Sequence, residues 1–330
     1  MHGGFTTMQS TAKGRCMVAL TVRLFGRFGI FCGDQAKPTL NNRAARELLC
    51  YLVLHRNHPQ RRETLADLLW QDSSPEQARK YLRQALWRIQ SALRPVADGG
   101  GMQALEVDPE WIQLNSCDQL QVDVAQFEEA MRCCHGIPGA QLDDIARRRL
   151  EDAVGLYRGD LLEGWYQDWC LAERERFQNE LLDALEKLVC WCESRHDSER
   201  GLAYAKRMLA LDPAREQVYR HMMQLHVLAG NRTQALREFQ RCERVLMQEL
   251  GVEPSQQTRA LHESIRDGSV ASPWRDSGVS GTPGSASGFA LEPLPALDEL
   301  LKRAQHLFAG IETRFRQDIA AAAGRPIEPD

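Results

Sequence analysis

Residues 74–94 read SPEQARKYLRQALWRIQSALR, and they decide the fold. Ser74 suits a helix N-cap, Pro75 suits the first helical position, and Gln77 completes a capping box with Ser74. At 100° per residue, Ala78, Leu82, Ala85, Leu86, Ile89 and Leu93 gather on one side of the helix. Lys80, Arg83, Gln84, Trp87, Ser91 and Arg94 gather on the other. A shorter helical stretch, from Arg61 to Trp70, comes just before it. A helix, a turn and a longer helix with outward cations form the arrangement that presents a reading helix to the DNA major groove.

Working outward, residues 18–31 partly alternate apolar and polar positions, with breaks at Gly26 and Gly29, and predict two short strands. Residues 34–40 predict a turn and a third strand. Asn42 caps a helix reaching about Arg56, with Ala45, Leu48, Leu49, Leu52 and Val53 inward. Beyond the Gly-rich break at 99–101, Ala104–Val107 and Trp111–Leu114 flank Asp108-Pro109-Glu110 as a hairpin. Strands, three helices and a closing hairpin describe a winged helix with an N-terminal sheet, the OmpR-type arrangement. From Asp123 onward the pattern is helical, with helices expected over 140–157, 168–195, 198–210, 214–229, 231–249 and 255–266 after a first helix that Asp123 caps. The spacing of about 34 residues between helix pairs suggests tetratricopeptide-like packing, against the alternative of an irregular bundle. The fold class is thus an α+β winged helix-turn-helix domain followed by an all-α tetratricopeptide-like domain. Its expected divisions are an extension at 1–17, the winged helix at 18–116, the helical domain at 120–267, a Gly/Ser/Pro-rich linker at 268–296, and an amphipathic helix at 297–323.

Charge sharpens this reading. Residues 1–94 carry 15 Lys/Arg against 6 Asp/Glu, whereas the rest carries 26 against 39. A basic front on an acidic body suggests a nucleic-acid module joined to a second function. No apolar run reaches the roughly 18 residues of a membrane span, and the N-terminus lacks a signal-peptide core, so a cytoplasmic location without membrane partners is expected. The ten cysteines include no C-x-x-C. Neither the Cys133-Cys134-His135 cluster nor Cys190-x-Cys192 has paired zinc-type spacing, so no metal and no cofactor is assigned.

Several motifs carry a family resemblance over about residues 18–267. In the front half they are RAARELLCYLVLHRNHPQRRETLADLLWQD and ARKYLRQALWRIQSAL. In the rear half they are LYRGDLLEGWYQDW, AERERF, LALDPAREQVYRHMMQLHVLAGNRTQALREFQRC and ELGVEP. In this order they resemble the antibiotic-regulatory-protein (SARP) type of bacterial transcription activators, in which a winged helix precedes a bacterial transcriptional activator domain. The resemblance implies sequence-specific binding to double-stranded promoter DNA, often at direct repeats. It also implies contact with RNA polymerase and its sigma factor, and a helical domain serving dimerisation or regulation, hence a homodimer on DNA. Two departures stand in the reading helix. Ile89-Gln90 replaces the family's common Leu-Arg pair, and Trp87 replaces a small polar residue.

The chemistry of such a site starts with phosphate. Arg43 and Arg46 open one helix, Arg61 and Arg62 open the next, and Arg79 and Arg88 flank the reading face; these six are the expected phosphate contacts. Base discrimination needs matched donors and acceptors. Arg83 can give two hydrogen bonds to guanine, Gln84 can pair with adenine, and Lys80 and Trp87 complete the base-contacting set. Trp87 can equally pack on a neighbouring subunit or on its own wing. Trp70 and Trp111 read as core, and Trp165, Tyr166 and Trp169 as inter-helix packing. Phosphate-loop, dinucleotide, zinc-protease and nucleophile-elbow motifs are all missing, so no enzyme is expected. The function that follows is a DNA-binding transcription regulator. The alternative is an adaptor whose winged helix docks on protein.

Overall fold

A computed structural model describes residues 20–32, 35–36, 40–97, 104–117 and 119–269. The expected extension at 1–17, the helix at 297–323 and all but the first two residues of the linker at 268–296 lie outside them.

The front of the chain builds two small sheets around three helices. Strands β1 (Leu20–Arg23), β2 (Gly29–Cys32) and β3 (Gln35–Ala36) run antiparallel. Helix α1 (Arg43–Leu54) starts where the Asn42 side chain accepts a hydrogen bond from the Ala45 N–H, and it buries Leu48, Leu49, Leu52 and Val53. Next come β4 (Gln60–Arg61), α2 (Arg62–Leu69) and α3 (Pro75–Ala97). The Ser74 hydroxyl accepts from the Gln77 N–H at 3.4 Å, which closes the first turn of α3. Strands β5 (Leu105–Val107) and β6 (Trp111–Leu114) form the wing, and β4 pairs with the outer side of β6. Ala78, Leu82, Ala85, Leu86, Ile89 and Leu93 are all buried, so the apolar stripe of α3 faces the core as its spacing predicts.

Strand β7 (Leu120–Val122) follows the wing and pairs in parallel with β1, giving the order β3-β2-β1-β7. It leads directly into α4 (Asp123–Cys133). A short 3-10 turn (Gly139–Gln141) follows, then α5 (Asp144–Leu156) and the long α6 (Asp168–Arg195). Helices α7 (Ser198–Leu211), α8 (Glu216–Leu228), α9 (Arg232–Glu249) and α10 (Gln256–Asp267) continue as packed neighbours. Their bounds fall close to those read from periodicity.

The winged helix and the helical layer share one core. Phe25, just past β1, sits among Tyr157, Phe177 and Phe127 with ring centroids 4.7, 5.3 and 5.4 Å away. Asp123 is buried, and its carboxylate accepts the N–H groups of Leu24, Phe25 and Val124 at 2.8–2.9 Å. The sequence reading makes Asp123 the cap of α4; in the structure the cap position falls on Val122, and Asp123, the first helical residue, turns its carboxylate to the end of β1 instead. Burial pushes its carboxyl up, and the three N–H donors oppose that rise. The GDLLEG segment joins the same seam. Leu162 donates to the Leu24 carbonyl, Glu163 to Gly26, and Gly26 to Asp160. Gly26 and Gly164 adopt φ values of 81° and 82°, which a side chain disfavours. Arg174 then ties the Leu161, Leu162 and Trp165 carbonyls with its guanidinium.

Candidate nucleic-acid interface

Helix α3 lies with one face sealed and one face bare. Lys80, Arg83, Gln84, Trp87, Arg88 and Ser91 are exposed. Among the described residues Lys80, Arg83 and Arg88 make no ion pair. The sole acid within α3 is Glu76 in the first turn, where it favours the helix dipole. The exposed face therefore holds free guanidinium and ammonium donors beside one amide and one indole. Trp87 is 67% exposed. The side chain of Arg94 falls outside what the structure describes.

The flanking cations separate into groups. Arg79 reaches Glu63 of α2 at 3.2 Å, with both side chains largely exposed, so the pair adds little stability and Arg79 stays available. Arg61 is exposed and its guanidinium stacks 5.1 Å from the Trp111 ring centre. Arg62 instead donates to the Asp108 carbonyl at 3.1 Å, which fastens the start of α2 to the wing turn. Read as core, Trp111 is corrected by this geometry: it stands on the outer wing surface at 36% exposure, because β6 directs Ile112 and Leu114 inward and its odd-phase neighbours outward. Trp70 packs against the core beside Tyr81, with ring centroids 6.2 Å apart.

Arg43 and Arg46 are placed elsewhere. Their end of α1 meets the start of α6. Arg43 lies near Glu47, whose carboxyl is pushed up by burial and held back by Arg43 and by a hydrogen bond with Gln167. Arg46 is half-buried and donates to the Asn41 carbonyl at 3.4 Å, while its Nε is buried without a partner. One turn on, Tyr51 packs edge-on against Trp169 of α6 at 5.5 Å. The structure thus groups Arg61, Arg79, Lys80, Arg83, Gln84, Trp87 and Arg88 around α2, α3 and the wing, and leaves the exposed Arg43 and the half-buried Arg46 at the start of α1. Of the rear aromatics, Trp165 and Trp169 pack between elements as expected, whereas Tyr166 is 77% exposed.

The described chain is a winged helix with a bare cationic second helix in its helix-turn-helix pair, fused through a common core to stacked helices. Comparison with known proteins agrees. The bacterial transcriptional activator domain matches residues 122–266. The chain is 25% identical over 234 residues to the transcriptional regulatory protein MoaR1 of Mycobacterium tuberculosis, covering 69% of this chain and 74% of that protein. It is 24% identical over 223 residues to the regulatory protein AfsR of Streptomyces coelicolor, covering 67% of this chain and 22% of that protein. It is 26% identical over 228 residues to the transcriptional regulatory protein EmbR of Mycobacterium tuberculosis, covering 67% and 56%. The fold resembles that of Mycobacterium tuberculosis EmbR, solved in complex with a low affinity phosphopeptide. The TM-score is 0.61 at 20% identity, over 76% of this chain and 65% of that one. The chain therefore spans under two thirds of AfsR and EmbR. Residues 122–266 thus match the bacterial transcriptional activator domain, and most of the chain is similar to transcriptional regulators of Mycobacterium and Streptomyces.

No helix among the described residues is long and apolar enough to cross a membrane.

Proposed function

We propose that this protein binds promoter DNA sequence-specifically through α3 and activates transcription through its helical domain, which contacts RNA polymerase or a second copy of the chain. The observation that carries this reading is the bare face of α3, where Lys80, Arg83, Gln84 and Trp87 are all exposed and backed by a fully packed stripe. Arg83 and Gln84 supply the bidentate groups that distinguish guanine and adenine in the major groove. Arg61, Arg79 and Arg88 lie where phosphates flank an inserted helix, with the wing alongside. Arg46 and Arg62 are engaged with backbone carbonyls at their observed positions and, with Arg43, come second as phosphate contacts.

Gel-shift competition between specific and random duplexes tests it. Arg83→Ala should lose about 5- to 150-fold in discrimination, the equivalent of about 1–3 kcal/mol for one bidentate contact. Arg88→Ala should weaken binding to all duplexes and lower the salt slope by about one. Selectivity unchanged in Arg83→Ala would sink the proposal. The exposed Trp87 favours one competing reading, docking of the winged helix on a protein. In that case association depends on Trp87 and is far less sensitive to salt than DNA binding.

A further inference from the structure

We infer that Cys190, Glu193 and His221 form a binding site for a zinc-type divalent cation in the helical domain, bridging α6 and α8. One potential ligand atom from each residue lies within 4.8 Å of the other two. Cys190 and Glu193 are three residues apart on α6, which puts them on one face of the helix. His221 comes from α8, which packs against that face. The set thus spans two helices that are neighbours in space and distant in sequence.

The local chemistry fits a cation. His221 Nδ1 lies 2.8 Å from a Glu193 oxygen, and its Nε2 is buried with no hydrogen-bond partner. His221 Nδ1 and the Glu193 oxygen already stand side by side, as two ligands of one ion do, and an ion between them would take the place of their hydrogen bond. The His221 and Glu193 side chains retain 13% and 20% exposure, and Cys190 is half-buried, so an ion can enter. The Gly139 backbone walls the thiol: a Cβ there would fall 2.7 Å from Cys190 Cβ. Sulfur and imidazole donors favour zinc over magnesium or calcium, and three protein ligands leave a fourth position for water. Ligand atoms on tetrahedral zinc stand about 3.3–3.8 Å apart, as bond lengths of about 2.0–2.3 Å require. Side-chain rotation of about 1 Å therefore closes the site. On binding, the Cys190 thiol loses its proton to solvent and the sulfur lone pair forms the metal bond. The cysteine partner of Cys190 in the sequence, Cys192, is buried in the core and takes no part.

The test is cobalt(II) titration of the purified full chain, followed by absorption. One equivalent should give a thiolate-to-cobalt charge-transfer band that zinc displaces. Cys190→Ser should abolish the band, and His221→Gln should weaken cobalt binding at least about 10-fold. Cys133→Ser, which alters an exposed thiol on α4, should leave the band intact. In parallel, zinc at about 100 times its Kd should raise the melting temperature of the unsubstituted chain by about 5–10 °C, and this shift should vanish in Cys190→Ser. Metal-free Cys190→Ser should melt where the metal-free parent does, which separates a lost ligand from a lost fold. A chain that shows no band with one equivalent of cobalt, or a band that survives Cys190→Ser, would overturn the site.

Discussion

Phe25→Ala should destabilise the winged helix and the helical layer together. Phe25 is buried at the end of β1, and all three rings around it belong to the helical layer: Tyr157 at 4.7 Å, Phe177 at 5.3 Å and Phe127 at 5.4 Å. Truncating a buried Phe to Ala costs about 3–5 kcal/mol in transfer and cavity terms. The ring contacts lie at the edge-to-face and tilted distances that add about 0.5–1.5 kcal/mol each. Phe127 and Phe177 still touch each other at 6.0 Å and can close part of the gap. A loss of about 4 kcal/mol is therefore expected, which lowers the melting temperature by about 8–16 °C for a unit of this size. Calorimetry, combined with hydrogen exchange in α3 and α9, reads the result. Both helices should lose protection together, in one transition. If the variant melts in two steps, with α3 lost early and α9 protected to the parent temperature, the shared core does not couple the two parts and the reasoning fails.

Three further outcomes follow from the same geometry. Asp123→Asn replaces one acceptor oxygen with a donor facing buried N–H groups, and should cost about 2–3 kcal/mol in urea unfolding; an unchanged midpoint would contradict the clamp. Trp87→Ala removes a largely exposed side chain, so stability should shift by less than about 0.5 kcal/mol while binding to DNA or to a protein partner falls; a large drop in melting temperature would show that the indole is structural. His226 has its pKa lowered by burial, partly offset by Glu238, and its Nδ1 is buried without a partner. The unfolded chain takes up that proton near the ordinary value of about 6.5 and the folded chain resists it, so this stability is present above about pH 6.5 and is lost as pH falls through the folded value. His226→Gln should therefore lose less stability than the parent between pH 7 and pH 5.5, and equal slopes would refute the assignment.

What was legible in the sequence is what depends on periodicity and caps. The stripe from Ala78 to Leu93 fixed the inner face of α3, and Asn42 marked the start of α1 because its side chain meets the Ala45 N–H. Strand β7 was not legible. Leu120-Gln121-Val122 is three residues long and pairs in parallel with a strand about 100 positions earlier, and no local pattern announces such a partner. Trp111 was misread for a related reason. A large aromatic in a strand suggests burial, but strand phase decides its direction, and here Arg61 covers the ring from outside.

For the candidate site, the outward face of α3 was legible and its surroundings less so. A helix periodicity sorts Lys80, Arg83, Gln84 and Trp87 to the outward side without any knowledge of the neighbours. The same logic cannot say what stands beside Glu47 and Tyr51 on α1, because Gln167 and Trp169, which meet them at the start of α6, enter about 120 residues later. The family motifs show the complementary case. GDLLEG carries no reactive chemistry, yet its backbone is bonded to β1 beyond Leu24, and Arg174 of the following helix holds its carbonyls. Asp123 grips the same strand end from α4. Glu128 bridges Arg56 at the end of α1 and Arg176 of α6. These residues join the helical layer to the strand and helix against which α3 packs. If α3 reads DNA as proposed, this packed joint links the helical layer to it, and substitutions in GDLLEG should lower promoter affinity in gel shifts while leaving every proposed DNA contact in place.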